Sequence, residues 1–387
     1  MSTIPRRLAD PFGRKRDTAT GRVEDVDAVK EEIAIASQWR LMWLKFKRHK
    51  LAMTGMVGVA LLYLMAIFNA FLSPYTPEQR TEYPYAAPNG LHLFRDGGFD
   101  PLVRGLALKA DPATMSRVIT QDPSQTFDVK FFASGPKYEI LGLIPATTRL
   151  MQVEEGGVLL FFGSDSLGRD IFSRSLNGAT ISLTVGLVGV FISFVLGALI
   201  GGFSGYYGGA FDNGVQRLIE FLIAIPTIPL WLALSAAIPQ GWSSLQVYFG
   251  ITIILSIAGW TGMARVVRGK LLQLREEDFV LDAQLAGASD WRIVVVHMLP
   301  AFASYMIVTL TLAIPGMILG ETALSFLGLG LRPPIVSWGV LIQEAQNVQA
   351  ILLYPWLLIP GAFVVITVLA FSFFGDGLRD AADPYKS

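Results

Sequence analysis

Hydrocarbon tolerates a peptide backbone only where every amide and carbonyl finds a partner within the protein, so an apolar run long enough to cross it must be helical unless it closes a barrel. About 20 residues suffice at a rise of about 1.5 Å each. Six runs reach that length: Leu51–Leu72, Thr180–Tyr207, Leu218–Ile238, Leu245–Ala264, Ala301–Leu331 and Ile351–Gly375. They predict an all-α membrane protein with six transmembrane helices and both termini on one side. Composition agrees. Of 387 residues, 52% are hydrophobic and 16% charged, where soluble domains carry roughly a quarter charged residues.

Basic residues set the orientation. Arg40, Lys45, Lys47, Arg48 and Lys50 precede the first run with no acid among them, which predicts a cytoplasmic amino terminus. The connection between the fourth and fifth runs then also faces the cytoplasm, and it carries Arg265, Arg268, Lys270, Arg275 and Arg292. The connection 73–179 holds ten Lys and Arg on the opposite side, but connections beyond roughly 60 residues escape the rule.

Residues 1–34 are polar and aperiodic, which predicts a disordered cytoplasmic tail and no cleavable signal peptide. Ile35, Trp39, Met42, Trp43 and Phe46 fall on one helical face. That pattern predicts an amphipathic helix over 35–50 lying in the cytoplasmic interface. A straight extension of the first span would share it, differing by the lack of a bend near His49-Lys50. Between the first two spans, Phe127–Phe132 and Tyr138–Leu141 alternate as short strands, with Gly135-Pro136 as their turn. An external subdomain is therefore expected within 73–179. Pro226, Pro229, Pro315 and Pro360 each remove an amide donor inside a span and permit kinks.

The charged connection 266–300 is the candidate for mechanical coupling. Asp278 and Asp282 place acids early in a short helix, where they favour its amino end. Gly287 permits the turn that ends it. Ser289 or Asp290 can cap a second short helix running to Leu299, and Pro300 suits the first turn of the fifth span. Incidental helicity in a solvated loop would give the same pattern.

This connection resembles the cytoplasmic EAA loop of binding-protein-dependent ABC importer permeases. In that family Glu-Ala-Ala is followed by Gly four residues after the last Ala, then by Leu-Pro. Here the frame reads Leu281-Asp282-Ala283, Gly287 and Leu299-Pro300. Leu281 stands at the Glu position and Asp282 at the first Ala. Gly163-Ser-Asp-Ser-Leu-Gly-Arg-Asp170 is similar to a segment of the peptide/nickel branch. Glu321–Gly330 followed by Ser337-Trp-Gly339 resembles the C-type permease of that branch, as do Pro355–Gly361 and Phe374–Asp380. The likeness is strong over 163–387 and weak over 35–75, and 76–155 is longer than in a plain dipeptide permease. The resemblance implies the type I ABC importer permease fold with an external subdomain between helices 1 and 2. It implies a second permease subunit, two ATP-binding subunits, an external solute-binding protein and an inner-membrane location. The cargo it implies is oligopeptides or dipeptides, with oligosaccharides, opines or nickel as alternatives in the same branch.

Two readings stay open elsewhere. Asp165, Arg169 and Asp170 suit either an ion pair and helix cap or a contact with the binding protein. Glu321 lies in an uncharged run, so it should face protein or water. It either lines the passage or makes a structural hydrogen bond.

Other functions are poorly served. The chain has no cysteine and three scattered histidines, His49, His92 and His297, so no metal site is expected. No nucleophile–base pair points to an enzyme. No G-x-x-x-x-G-K-[ST] string occurs: Gly269-Lys270 is followed by Leu271, with Ala264 where the first Gly would stand. ATP is expected on partner subunits, and no cofactor on this chain. A zero net charge gives no indication of a nucleic-acid partner. A secondary transporter is the remaining rival, but the chain shows no evident internal repeat.

Overall fold

The computed structural model describes residues 38–95, 97–110, 117–140 and 142–382. The expected tail at 1–34 lies outside the described residues, as do Ile35 and the end of the chain beyond 382.

Helix α1 (Gln38–Arg48) and α2 (Lys50–Ile67) are separated by a single residue. His49 is extended and its Nδ1 accepts the Ala52 amide at 3.0 Å, so the chain bends where α2 begins. Met42 and Phe46 of α1 are buried against Ala52 and Ala381, while Trp43 is 45% exposed. Part of the apolar face expected to meet lipid thus packs on protein. A short turn, Asn69–Leu72, closes the first span.

Four antiparallel strands follow in a meander: β1 (Leu91–Arg95), β2 (Gly98–Ala110), β3 (Arg117–Ile140) and β4 (Ile144–Val153). The two expected short strands are one. Gly135 and Pro136 lie inside β3, where the register shifts between Ser134 and Tyr138, instead of turning the chain. A bulge accepts a residue without an amide donor. The sheet is tied to the first span by Arg149, which donates to the Ser73 carbonyl at 2.8 Å. Tyr85, with a left-handed backbone, stacks on Tyr354 at 4.2 Å.

The helical bundle comprises α3 (Ile171–Tyr207), α4 (Gly209–Ala224), α5 (Thr227–Ala236), α6 (Ser244–Leu274), α7 (Asp278–Leu285), α8 (Ala303–Phe326), α9 (Trp338–Gln343), α10 (Val348–Leu353) and α11 (Ile359–Ala382). Among the described residues, five helices are long and apolar enough to cross a membrane, or six if the bent pair α4–α5 is one span. That pair turns through 87° at Ile225-Pro226. The third apolar run is therefore two helices. The second span begins nine residues earlier than its apolar run because a polar turn, Ile171–Ala179, is helical too.

Helix α3 packs closely on α6. A methyl group on Gly201 would collide with the Ala264 carbonyl, so glycine lets these two backbones approach closely. Leu183, Leu255, Ile318 and Trp338 fill the core between α3, α6, α8 and α9. The sheet, residues 159–170 and the connection 328–358 gather at one end of the bundle, which we term the sheet end. Residues 38–49, 204–212, 268–299 and 376–382 gather at the opposite, loop end.

Candidate functional site

At the loop end, α7 carries Asp278 in its first turn, as the acids near 278 lead one to expect. Its fold rests on Val280, fully buried with Leu271, Ile293 and Met298. The large apolar side chains that remain face outward: Phe279 is 41% exposed, Leu281 46% and Leu285 87%. Asp282 is exposed beside them, and Ala283 is half-buried against the apolar cluster beneath. Gly287 ends the helix with φ +76°, its amide donating to the Gln284 carbonyl at 2.9 Å. Nothing approaches within 4 Å of where a Cβ would stand, so backbone conformation alone calls for glycine.

Ser289 caps the next helical turn, accepting the Arg292 amide at 3.4 Å. The Asp290 carboxylate accepts from both Tyr206 and Tyr207 of α3, each at 3.0 Å. Gln284 of α7 donates to the same Tyr206 hydroxyl at 3.3 Å, and Trp291 stacks on Phe203 with ring centres 5.7 Å apart. These contacts fix α7 and the Ser289 turn to the end of α3.

The second short helix does not stop at Leu299. It passes through a π-helical stretch, Ile293–Met298, and a tight 3₁₀ turn, Leu299–Phe302, into α8. Pro300 lies in that tight turn and Leu299 is buried. A proline at this point has no amide to continue an α-helical ladder, so the helix widens before it and tightens after it.

One loop-end feature carried no local sequence signal. Arg268 of α6 makes a two-pronged ion pair with Asp212 in the first turn of α4, and Asp212 also accepts from Ser204 of α3. Three helices are clamped there. The residues are 56 positions apart, and only a charge on each apolar-leaning helix could have hinted at them.

At the sheet end, Asp165, Arg169 and Asp170 come together, but facing inward. Asp165 bonds Arg169 at 2.6 Å and lies 3.5 Å from Arg174. Glu344 closes the group at 3.6 Å from Arg169 and accepts from Ser166. Burial, together with the Asp165 charge, raises the Glu344 carboxyl above the usual range. Asp170 caps α3 through the Phe172 and Ser173 amides. Burial pushes its carboxyl up to about 6, although hydrogen bonds from Ser173 and Phe172 pull the other way. Asp165 and Asp170 are each 3% exposed.

Glu321 of α8 is fully buried. It accepts from Ser325 at 2.7 Å and Ser182 at 3.2 Å, and Ser182 in turn accepts the Trp338 amide at 3.1 Å. This arrangement joins α3, α8 and α9. Among the described residues, no group of three or more His, Cys, Asp and Glu is placed to hold a metal ion.

A bundle of five or six membrane-capable helices, with a loop helix that leaves large apolar side chains exposed, is that of a polytopic membrane protein. The comparisons make this particular. The family described as binding-protein-dependent transport system inner membrane component matches residues 193–386, and the N-terminal transmembrane domain of oligopeptide transport permease C matches residues 37–88. The chain belongs to this family of permeases and is a non-catalytic transport subunit.

The oligopeptide transport system permease protein OppC of Bacillus subtilis strain 168 is 31% identical over 385 residues, 99% of both chains. The dipeptide transport system permease protein DppC of the same organism is 40% identical over 226 residues, 58% of this chain and 68% of its own. The glutathione transport system permease protein GsiD of Escherichia coli O6:K15:H31 is 32% identical over 350 residues, 90% of this chain and 91% of its own. The long segment 76–155 thus lies within the aligned length of a relative.

Proposed function

We propose that this chain passes short peptides, delivered by an external binding protein, through a bundle completed by a second homologous permease subunit. Two ATP-binding subunits drive it from the loop end. The relatives above are named for oligopeptide, dipeptide and glutathione transport, which supports peptides over the branch's other cargoes. The basic residues of 40–50 and 265–292 support a cytoplasmic loop end with both termini on that side.

One observation carries the coupling role: α7 buries Val280 to hold itself on the bundle while Phe279, Leu281 and Leu285 stay exposed. An apolar ridge in water is costly unless a partner covers it. Leucine at 281, where the family has glutamate, makes that ridge more apolar. Ala283, Gly287, Ser289 and Asp290 act beneath it by holding the helix in place, and Asp282 stands exposed beside the ridge. By contrast, the inward-facing Asp165, Arg169 and Asp170 brace the sheet end, and a binding protein would meet the surface around them. Glu321 serves as a hydrogen-bond junction.

The test is uptake of a radiolabelled tripeptide by proteoliposomes holding the complete transporter and its binding protein. Uptake is expected only with ATP on the loop side, and Leu285→Asp is expected to cut it about tenfold, the effect of placing a charge in an apolar contact. Uptake that persists after ATP depletion would overturn the reading in favour of a secondary transporter.

A further inference from the structure

At the loop end, α1 keeps one face on the bundle and turns the other away from it. Phe46 is 1% exposed and meets the Phe374 ring edge-on with centres 5.7 Å apart, and Met42 is buried in the same cluster as Ala381. These contacts set the depth of the helix. A methyl group on Gly55, in the second turn of α2, would strike the Phe374 backbone, and one on Gly377 would meet both Ala52 and Phe46. Helix α1 and the first turns of α2 therefore pack on one stretch of α11, residues 374–381. Because α2 is the first membrane-capable span, α1 lies alongside the start of that span instead of standing clear of it.

The helical repeat puts Leu44, Lys47 and Arg48 on the side away from Met42 and Phe46, with Trp43 at its border. Trp43 and Leu44 are each 45% exposed. Lys47 and Arg48 are exposed, as is Lys50 at the start of α2, and among the described residues none of the three forms an ion pair. The Lys47 ammonium lies 5.1 Å over the Trp43 ring. No acid occurs from residue 38 to residue 50, and Asp380 of α11 stands 3.9 Å from His49. Bulk water would leave the tryptophan and leucine uncovered, and the bilayer core would strand the three cations. The boundary between headgroups and acyl chains suits both kinds of side chain. A tryptophan ring rests there, while lysine and arginine reach out to phosphate, which the arginine fork matches.

We propose that the outward face of α1 binds the headgroup of an anionic phospholipid in the leaflet at the loop end. Lys47, Arg48 and Lys50 surround the phosphate, and Trp43 and Leu44 meet the start of the acyl chains. The positive charge of this face selects an anionic lipid over a zwitterionic one, each basic residue strengthening the attraction about fivefold. The site does not depend on which cargo is carried.

Photocrosslinking of the complete transporter in phosphatidylcholine nanodiscs tests this. The discs carry a trace of diazirine-labelled phosphatidylglycerol or, separately, of diazirine-labelled phosphatidylcholine, and lipid adducts on residues 38–50 are located by mass spectrometry. The phosphatidylglycerol adduct is expected to exceed the phosphatidylcholine adduct about tenfold or more. Lys47→Gln should lower that ratio about fivefold, and combining it with Arg48→Gln and Lys50→Gln should bring the two adducts level. Trp43→Ala should lower both adducts alike. Thermal unfolding that is unchanged in the variants establishes that they are folded. Equal adducts from the two lipids overturn the proposal, and so does a preference that survives the triple variant. Absent adducts, with lysine-reactive crosslinks joining Lys47 to an ATP-binding subunit, overturn it in favour of a protein partner. Suppression of the adduct by millimolar glycerol phosphate overturns the lipid assignment in favour of a soluble anion.

Discussion

Gly287 and Glu321 show how one position carries a requirement that its neighbours do not share. Gly287 sits at φ +76° in open space, so a larger side chain meets no obstacle and only the backbone resists. Gly287→Ala should cost about 1 kcal/mol in loop stability, read as faster amide exchange across 278–292, with Gly287→Asn costing less because asparagine tolerates this conformation. Glu321 accepts two serine hydroxyls in a fully buried place. Glu321→Gln keeps an acceptor and should leave tripeptide uptake within about twofold, whereas Glu321→Ala should lower stability by about 2 kcal/mol through unpaired hydroxyls. Thermal unfolding and uptake measured on both variants check this, and uptake abolished in the folded Gln variant would favour a passage-lining role. Gly287 was legible in the sequence because a left-handed helix end has few alternatives. The junction around Glu321 was not. Its partner Ser182 reaches it from another span, with Trp338 of the connection bonded behind it, and an uncharged run tells only that the acid must be sheltered.

At the scale of elements, apolar length located the spans but could not say how each is broken. Pro226 and Pro229 look alike in sequence, yet only the former marks the 87° bend. Pro229 falls in the first turn of α5, where an amide has no helical partner to lose, so it is accommodated without a bend. The early start of α3 was hidden for a related reason. Arg174 interrupts the apolar pattern but is buried beside Asp165. Asp170 caps that helix, and its raised carboxyl gives a signed pH effect. A native value of about 6 against an ordinary 3.8 means the folded state holds the proton more tightly. The associated stability is fully present below about 3.8, falls as pH rises towards 6, and is flat above. The total is on the order of 3 kcal/mol. Asp170→Asn, which keeps the cap without the charge, should remove this decline in unfolding temperatures recorded from pH 4 to pH 7. The Asp212–Arg268 clamp joins α4 to α6 in the same long-range fashion. Arg268 is part exposed, so Asp212→Asn should cost about 1–2 kcal/mol and loosen the loop end without unfolding the bundle.

Over the whole molecule, the membrane bundle and the short helix within the 266–300 connection were largely readable, because lipid leaves few choices for an apolar run and the loop frame Ala283-Gly287-Leu299-Pro300 keeps its spacing. The sheet was only half readable. Alternation revealed strands, but Gly135-Pro136 reads as a turn until a partner strand places a bulge there. We propose that α7 transmits the work of a separate ATPase to this bundle. Because the chain contains no cysteine, Leu285→Cys introduces a single thiol on the exposed ridge of α7, and a thiol crosslinker applied to the complete transporter reads its neighbour directly. A crosslink is expected from residue 285 to an ATP-binding subunit, with a yield that changes between the nucleotide-free and ATP-bound states. A thiol at 285 that labels freely in both states and never joins that subunit, in a transporter that still imports, would contradict it.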